Sequence, residues 1–310
     1  ETSAAAASAC AAGTGSDGAL LSASAKASPA ATPAPAPLPF SSVGTKAAAG
    51  PAFSDLNPNQ LQAVASILPV TAVIAGPGTG KTKTLVARLA WLMGERGVKP
   101  SEITAVTFTS KAAGELKERI RSQLPGKRSI GQMQIGTFHS LCYRMLKETG
   151  LSLELADDAQ KEAAAAQTIE ALDLPCSVKQ FLTELSLEKS GIHILSEEAS
   201  SYYNGLLKAQ GLMDFDDLLL YTIKLLEEEK RTEYRKQHFS YLLVDEFQDI
   251  SPMQYRLIQA WNKGMKEIFV IGDPDQSIYG FRGSQSNCFD LLNADFEQVN
   301  TLRLKPNYRS

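Results

Sequence analysis

A glycine-rich segment of eight residues, AGPGTGKT at positions 75–82, restricts the possible folds of this chain more than any other feature. It follows a short apolar run, Thr71–Ala75, and precedes a helical pattern from Lys81 to Met93 with leucines on one face. Glycines between a strand and a helix allow backbone N–H groups to converge on phosphates, and the helix N-terminus adds positive potential. The segment therefore predicts a nucleotide-binding loop, although Ala75 stands where GxxxxGK[ST] has its first glycine. The alternative is an ordinary glycine-rich turn.

Each residue type in this loop has an expected role. Lys81 would reach the β and γ phosphates of a nucleotide, and Thr82 would hold Mg²⁺. The candidate nucleotide-binding residues here are Ala75, Gly76, Pro77, Gly78, Thr79, Gly80, Lys81, Thr82 and Lys83.

Hydrolysis needs a second metal ligand and a base, and two acids after another apolar run are candidates for both. Asp245 and Glu246 follow Leu242–Val244, so we expect Asp245 in the Mg²⁺ shell and Glu246 polarising the attacking water. By itself such a pair is more often a solvated turn. Gln276, shortly after the run Ile268–Ile271, is placed to sense the γ-phosphate, and its alternative is a polar turn.

The order of apolar runs and helical patterns predicts an α/β fold. Short strand-like runs separated by helices are typical of a parallel sheet covered by helices on both faces. The further predicted strands are Ile103–Phe108, Gln134–Phe138, Tyr241–Val244 and Ile268–Ile271, and the further predicted helices are Ala112–Arg121 and one through Leu141 and Leu146.

Composition excludes several classes of protein. Of 310 residues, 44% are hydrophobic and 21% charged, enough for a sizeable core and against wholesale disorder. No apolar run approaches the roughly 20 residues of a membrane helix. The net charge of −3 excludes a globally basic nucleic-acid binder and leaves a local basic groove open. Four cysteines without zinc spacing indicate free thiols in a reducing compartment rather than disulfides.

The composition changes along the chain and suggests four segments. Residues 1–52 are rich in Ala, Ser, Pro and Gly and predict a disordered tail, which would suit an organellar transit peptide or the edge of a fragment. Residues 53–150 and 211–310 carry the strand patterns of one sheet domain. Residues 151–210 predict an all-helical insertion. From Leu151 to Glu229 there are 16 acids against 5 lysines, a net of −11, so most of this surface should face away from a phosphate backbone.

Eight segments in one order resemble the UvrD/Rep/PcrA-type superfamily 1A DNA helicases over roughly Phe53 to Ser310. They are LNPNQ at 56–60, AGPGTGKT at 75–82, VTFTSKAA at 106–113, GTFHS at 136–140, FDDL at 215–218, LVDEFQD at 243–249, GDPDQSIYGFR at 272–282 and NYRS at 307–310. The resemblance implies a RecA-like P-loop NTPase domain that uses ATP and Mg²⁺.

The resemblance also assigns roles to residues outside the loop. Gln60 would recognise the adenine edge by paired hydrogen bonds, and Tyr308 would stack on the adenine. Arg309 would contact the γ-phosphate as an arginine finger. Gln276 would couple the phosphate state to the DNA site. A flexible chain end is the alternative for Tyr308 and Arg309.

On the DNA side, the resemblance places aromatic, hydroxyl and basic residues at one edge of the sheet. The implied single-strand contacts are Phe108, Thr109, Lys111, Thr137, His139, Tyr279, Phe281 and Arg282. Aromatic faces stack on any base, and the local net charge of +4 between Lys111 and Arg128 suits phosphates. Alternatively, Phe108 belongs to the core, His139 is structural, and the basic run is a solvated helix face.

The chain departs from the family pattern at two positions, with Ser110 in place of Asn and Pro306 in place of Gln. The resemblance implies an intracellular 3′→5′ DNA helicase or translocase acting on single strands and their junctions with duplex. It also implies a second RecA-like domain C-terminal to Ser310, without which this piece alone would not unwind DNA. The alternatives are a helicase subunit of a RecB/AddA-like helicase–nuclease and a nucleotide-gated DNA-binding protein that does not cycle.

Overall fold

The computed structural model describes residues 53–123, 131–150, 152–190, 195–228, 239–262, 265–276 and 288–305. Within them the helices are α1 (Pro58–Val64), α2 (Lys81–Gly94), α3 (Ser110–Gln123), α4 (Phe138–Glu148), α5 (Asp158–Ala171), α6 (Val178–Lys189), α7 (Glu197–Ala209), α8 (Phe215–Glu227), α9 (Pro252–Asn262) and α10 (Cys288–Asp295). The strands are β1 (Val70–Ala75), β2 (Ile103–Val106), β3 (Gln134–Gly136), β4 (Glu154–Leu155), β5 (Leu212–Met213), β6 (Tyr241–Val244), β7 (Glu267–Gly272) and β8 (Val299–Leu304). Short 3₁₀ helices span Pro100–Glu102, Phe247–Asp249 and Pro274–Gln276.

Six of these strands form one parallel sheet in the order β3-β2-β6-β7-β1-β8. Every neighbouring pair is parallel, with Val73 opposite Ile271 and Val106 opposite Val244 as examples of the register. Because the strands run the same way, their carboxyl ends meet at a single edge of the sheet. The α/β class predicted from the alternation of runs is confirmed.

Side chains alternate between the two faces of this sheet, as a period of two requires. Leu242 and Val244 of β6 join one apolar cluster, packed with α4, α8, α9 and α10. Leu243 joins the other cluster, packed with α2 and α3. Both faces are therefore covered by helices, which explains why the central strands read as continuous apolar runs.

Two strands end earlier in the structure than their apolar patterns predict. The predicted strand Gln134–Phe138 stops at Gly136, because Thr137 caps the next helix: its side chain accepts from the Ser140 N–H. The predicted strand Ile103–Phe108 likewise ends at Val106. In both places the residues predicted as strand ends form the entry into a helix at the carboxyl edge.

The helices α5, α6 and α7 share an apolar cluster of their own. Its buried members include Phe181, Leu185, Tyr203 and Leu207. Capping boxes start α5 at Asp157 and α6 at Ser177, each with a glutamine three residues later, so these helix starts are locally encoded.

A short parallel ladder pairs the segment before α5 with the segment after α7. Glu154 pairs with Leu212 and Leu155 with Met213, through β4 and β5. This ladder is an addition to the helical insertion expected from the sequence, and the boundaries at 151 and 210 stay predictions. No helix in the described parts of the chain combines the length and the apolar character needed to cross a bilayer.

A buried arginine connects the helix before the first strand to the sheet. Arg88 of α2 is 1% exposed and donates to the carbonyls of Val64 and Ser66 and to Glu267, each at 2.6 Å. Arg96 also pairs with Glu267, at 2.9 Å. Burial lowers the pKa of Arg88 to about 10, so the guanidinium remains charged at neutral pH.

We predict that Arg88→Met lowers the free energy of unfolding by about 3 kcal/mol, because Glu267 and two carbonyls lose a buried donor. Urea denaturation of the purified protein measures the change. Arg121→Met is the control, since the ion pair of Arg121 with Glu118 leaves the two side chains 53% and 71% exposed. That pair should contribute less than about 0.5 kcal/mol. Equal losses in both variants would contradict the role given to Arg88.

Candidate functional site

The carboxyl edge of the sheet brings together the segments predicted to bind a nucleotide. The glycine-rich loop follows β1, Asp245 follows β6, and Asp273 follows β7. β7 lies between β6 and β1 in the sheet, so the loop and the two acids occupy adjacent positions along one edge.

The loop from Ala75 to Gly80 depends on glycine at two positions. Gly78 and Gly80 have φ of 72° and 84°, a region that L side chains rarely adopt. A Cβ on Gly80 would also lie 2.7 Å from Nε2 of Gln60. The loop turns directly into α2, so the unpaired N–H groups of that helix face the same space as Lys81.

Lys81 and Glu246 are brought together although 165 positions separate them. Lys81 Nζ lies 2.8 Å from Glu246 Oε2. The two side chains are 15% and 37% exposed, so the pair lies at the mouth of the site. A phosphate binding to Lys81 would compete with this carboxylate, and Glu246 would then be released toward the solvent that enters with the nucleotide.

Asp245 is an acid in a position that disfavours its charge. Burial, and after it the charge of Glu246, raises the pKa of Asp245 to about 6. Its Oδ1 accepts from the Glu246 N–H at 3.0 Å, and Glu246 has a φ of 49°, one of two non-glycine residues with positive φ in the described chain. A buried carboxylate beside a second acid suits a divalent cation.

Gln248, which connects the acids, was not predicted from the sequence as a site residue. Its side-chain Nε2 donates to Glu246 Oε2 at 3.0 Å and to Asp249 Oδ2 at 3.1 Å. Its Oε1 accepts from the Asp273 N–H at 2.8 Å, and the residue is 3% exposed. The sequence signal for Gln248 was its position between Asp245-Glu246 and Asp249 in the segment LVDEFQD at 243–249.

The two glutamines expected to contact nucleotide are both engaged within the protein. Gln60 is 1% exposed; it donates to the Thr79 carbonyl at 2.9 Å and accepts from the Asn57 N–H at 3.0 Å. Adenine recognition by Gln60 stays a prediction and would require exchange of these bonds. Gln276 is exposed and donates to Asp273 Oδ2 at 2.5 Å.

The remaining loop residues differ in their surroundings. Ala75 is buried at the end of β1, Thr79 caps its own turn by donating to the Gly76 carbonyl, and Thr82 is half-buried in the first turn of α2. Lys83 is exposed and donates to the Asp55 carbonyl at 2.7 Å. Lys83 thus ties the loop helix to the segment before α1.

These residues fit ATP and Mg²⁺ by the chemistry of their groups. The N-terminus of α2 and Lys81 offer donors and positive charge to phosphates, whereas Asp245 and the Thr82 hydroxyl offer oxygens to a hard cation. Within the described residues, no group of three or more His, Cys, Asp or Glu side chains forms a metal site of its own.

A groove of about 1240 Å³ lies next to these acids, between the carboxyl edge and α6. One wall contains Phe108, Thr109, Thr137 and His139 from the sheet side. Another wall is formed by α6, from Val178 to Lys189, which contributes apolar, hydroxyl and lysine side chains. Glu162 of α5 and Asp216 of α8 line the groove as well. Asp249 also lines the groove, four residues from Asp245.

An aromatic pair lines this groove. The rings of His139 and Phe215 are stacked, with centroids 3.8 Å apart and planes inclined by 18°. Phe215 is 50% exposed, which is unusual for a phenylalanine and leaves much of its ring available. Burial lowers the pKa of His139 to about 4, so this ring is neutral at physiological pH. Its Nε2 is buried without a partner among the described residues.

The other residues expected on the DNA side are placed in three ways. The side-chain oxygens of Thr109 and Thr137 accept from backbone N–H groups at the starts of α3 and α4, and both residues line the groove. Lys111 is exposed on α3. Tyr279, Phe281 and Arg282 lie outside the described residues, and their roles stay predictions. The same holds for Pro306, Tyr308 and Arg309 of the last segment, of which Tyr308 and Arg309 are expected at the nucleotide.

The basic residues between Lys111 and Arg128 lie partly on α3 and partly outside the described residues. Arg121 pairs with Glu118 on the exposed face of α3, so part of its charge is already balanced. Lys127 and Arg128 lie outside the described residues.

Together, the parallel sheet, the loop and the two acids define a P-loop ATPase domain of the RecA-like kind. The family model described as the UvrD/REP helicase N-terminal domain matches residues 56–201 and 179–297. The chain belongs to this family, as the eight segments predicted.

Relatives of the chain are DNA helicases. It is 35% identical over 278 residues to the ATP-dependent DNA helicase Rep of Escherichia coli, covering 82% of this chain and 41% of that protein. It is also 35% identical to the ATP-dependent DNA helicase PcrA of Bacillus subtilis, over 83% of this chain and 38% of that protein. DNA helicase II of Escherichia coli is 35% identical to the chain, over 82% of this chain and 38% of that protein. The chain thus spans about two fifths of the length of these relatives.

We predict that His139 makes folding stability depend on pH. The unfolded chain protonates this histidine near its ordinary pKa of 6.5, but the folded chain only near 4, so stability is lost as pH falls through that window. Between pH 7.5 and pH 5 the loss from this residue should be about 2 kcal/mol. His139→Phe keeps an aromatic ring and should remove that part of the loss. Urea denaturation at both pH values measures it, and an identical loss in variant and wild type would contradict the buried, neutral ring.

Proposed function

We propose that the chain is the N-terminal motor half of an ATP-dependent helicase or translocase that moves 3′→5′ on single-stranded DNA in repair, recombination or replication. One observation carries the proposal. The five residues from Asp245 to Asp249 reach both sites, because Glu246 binds Lys81 of the nucleotide loop and Asp249 lines the aromatic groove. The direction of movement is taken from the family resemblance.

At the nucleotide site, Lys81 and the N-terminus of α2 would bind the β and γ phosphates. Glu246 would orient the attacking water once a phosphate has taken its place on Lys81. Thr82 and Asp245 would hold Mg²⁺, which neutralises charge on the phosphates during transfer. Gln276 would respond to the γ-phosphate. Gln60 and Tyr308 would hold the adenine, and Arg309 would stabilise the transition state.

In the groove, single-stranded DNA would lie between the sheet edge and α6. Phe215 offers a half-exposed ring supported by His139, which suits stacking of any base. The exposed Lys179 of α6 lines the groove, whereas Glu184 of the same helix does not. Glu162 of α5 and Asp216 of α8 do line the groove, so the expectation that most of the acidic surface faces away from phosphates stays a prediction.

The full cycle would need a second RecA-like domain, C-terminal to this chain. The relatives continue well beyond the matched region, and a cleft between two domains would supply the remaining contacts to the nucleotide. Closure of that cleft on ATP would shift the grip on the strand, and hydrolysis would release it. Junctions between single strands and duplex would be the sites of unwinding.

We predict that the full-length protein hydrolyses ATP and that single-stranded DNA stimulates it. Lys81→Ala should reduce turnover at least about 100-fold, since a donor aimed at the transferred phosphate is lost. Glu246→Gln should retain ATP binding and lose hydrolysis to a similar extent. Coupled-enzyme assays with and without an oligonucleotide measure turnover, and a fluorescent ATP analogue measures binding. Normal turnover in Glu246→Gln would exclude it as the base.

We predict that Phe215→Ala weakens binding of the full-length protein to an oligothymidylate by about 5–100-fold, the effect of losing one stacked base. Fluorescence anisotropy measures the dissociation constant. Tyr202→Ala is the matched control, because Tyr202 is a 38% exposed aromatic on α7 that does not line the groove. If both variants bind like the wild type, the groove is not the DNA site.

A further inference from the structure

A buried lysine lines the groove. Lys189, the last residue of α6, is 8% exposed. Its Nζ donates to Asp214 Oδ2 at 2.5 Å, to Asp217 Oδ1 at 2.8 Å and to Asn204 Oδ1 at 3.0 Å. All three N–H donors of the ammonium group therefore have acceptors within the protein.

The electrostatics of this cluster keep the lysine charged. Burial by itself would lower the pKa of Lys189, but the charges of Asp214 and Asp217 outweigh it and the pKa is raised. Burial, and then the charge of Asp214, raises the pKa of Asp217. With two carboxylates around one ammonium, no positive charge is left over for a phosphate of the bound strand.

The acceptors of Lys189 belong to the helix that carries the exposed aromatic ring. Asp214 is the N-cap of α8, and its Oδ1 accepts from the Asp217 N–H at 2.9 Å. Asp217 Oδ2 accepts in return from the Asp214 N–H at 3.2 Å. Phe215 is the first residue of this helix, so the bonds to Lys189 hold the turn from which its ring projects.

The same bonds connect the two walls of the groove. Lys189 belongs to α6, which forms one wall, and Phe215 stacks on His139 of the other wall. Asn204 of α7 adds a further helix of the insertion to the contact. Tyr203, beside it, places its ring 5.7 Å from Nζ. A short polar cluster thus fixes α6 relative to the stacking ring.

We propose that Lys189 is a positioning residue for single-stranded DNA, setting the distance of α6 from Phe215 without touching the strand. This inference rests on the proposed function, since it concerns the groove assigned above to DNA. Lys179, at the start of the same helix, is the contrasting case: it is exposed, lines the groove, and is available to a phosphate.

Salt dependence separates a positioning lysine from a contacting one. A lysine that neutralises one phosphate of a single strand contributes about 0.7 to the slope of log affinity against log salt. Lys179→Met should therefore lower that slope by about this amount. Lys189→Met should weaken binding about tenfold at every salt concentration and leave the slope unchanged.

The experiment measures oligothymidylate binding by the full-length protein from 50 to 300 mM salt. The DNA concentration for half-maximal stimulation of ATP hydrolysis is measured in parallel. In Lys189→Met it should rise with the dissociation constant, while the maximal stimulated rate changes less than about twofold, because the positioning residue acts on binding.

A second variant addresses the charges that Lys189→Met leaves buried. Lys189→Met/Asp214→Asn/Asp217→Asn removes all three charges and keeps a good N-cap at position 214, so the fold should persist even where the single variant is unstable. Its thermal unfolding is compared with that of the wild type. We expect it to show the same weakened binding and unchanged slope.

Several outcomes would overturn the inference. Wild-type affinity in the folded triple variant would show that the cluster does not position the groove. A slope lowered as in Lys179→Met would make Lys189 a phosphate contact instead. If the wild-type protein itself does not bind the oligonucleotide, the proposed function fails, and the inference with it.

Discussion

Parallel pairing of the central strands is the constraint on which this molecule depends. β6 lies between β2 and β7, and all three run in the same direction. The residues that follow each strand must therefore emerge at the same edge, whatever their distance in sequence. Lys81 and Glu246 meet in this way across 165 positions, and one reversed strand would carry Asp245–Asp249 to the opposite edge.

The edge formed by this pairing concentrates acids. Asp245, Glu246, Asp249 and Asp273 lie near one another, and burial followed by the charge of Glu246 raises the pKa of both Asp245 and Asp249. Lys81 and the Gln248 amide offset part of the repulsion. Gly272 is required beside them, since a Cβ there would lie 2.4 Å from Gln248 Oε1 and 2.9 Å from the Phe247 N. The site is compact and short of positive charge, which favours a cation beside Asp245.

The parts of the fold and of the site that could be predicted from the sequence are those determined by a short local pattern. The glycine-rich loop, the apolar runs of β1, β6 and β7 and the acids after them were readable, because each is a short pattern with one structural meaning. The edge strand β8 was missed, since Val299–Leu304 is mostly half-buried or exposed and lacks an apolar run. Lys189 was missed for another reason: its carboxylate partners lie 25 and 28 positions away, and nothing near it in sequence marks it as buried.

Coupling between the nucleotide site and the groove requires a segment that contacts both. The segment Asp245–Asp249 after β6 does so, because Glu246 pairs with Lys81 and Asp249 lines the groove. Glu246 sits at a positive φ, and its side chain is divided between Lys81 and Gln248. When a phosphate takes Lys81, the hydrogen bonds of Gln248 to Glu246, Asp249 and Asp273 must adjust together, since one amide makes all of them. Asp249 lines the groove, so under the proposed function this adjustment would reach bound DNA through the amide that contacts both Glu246 and Asp249.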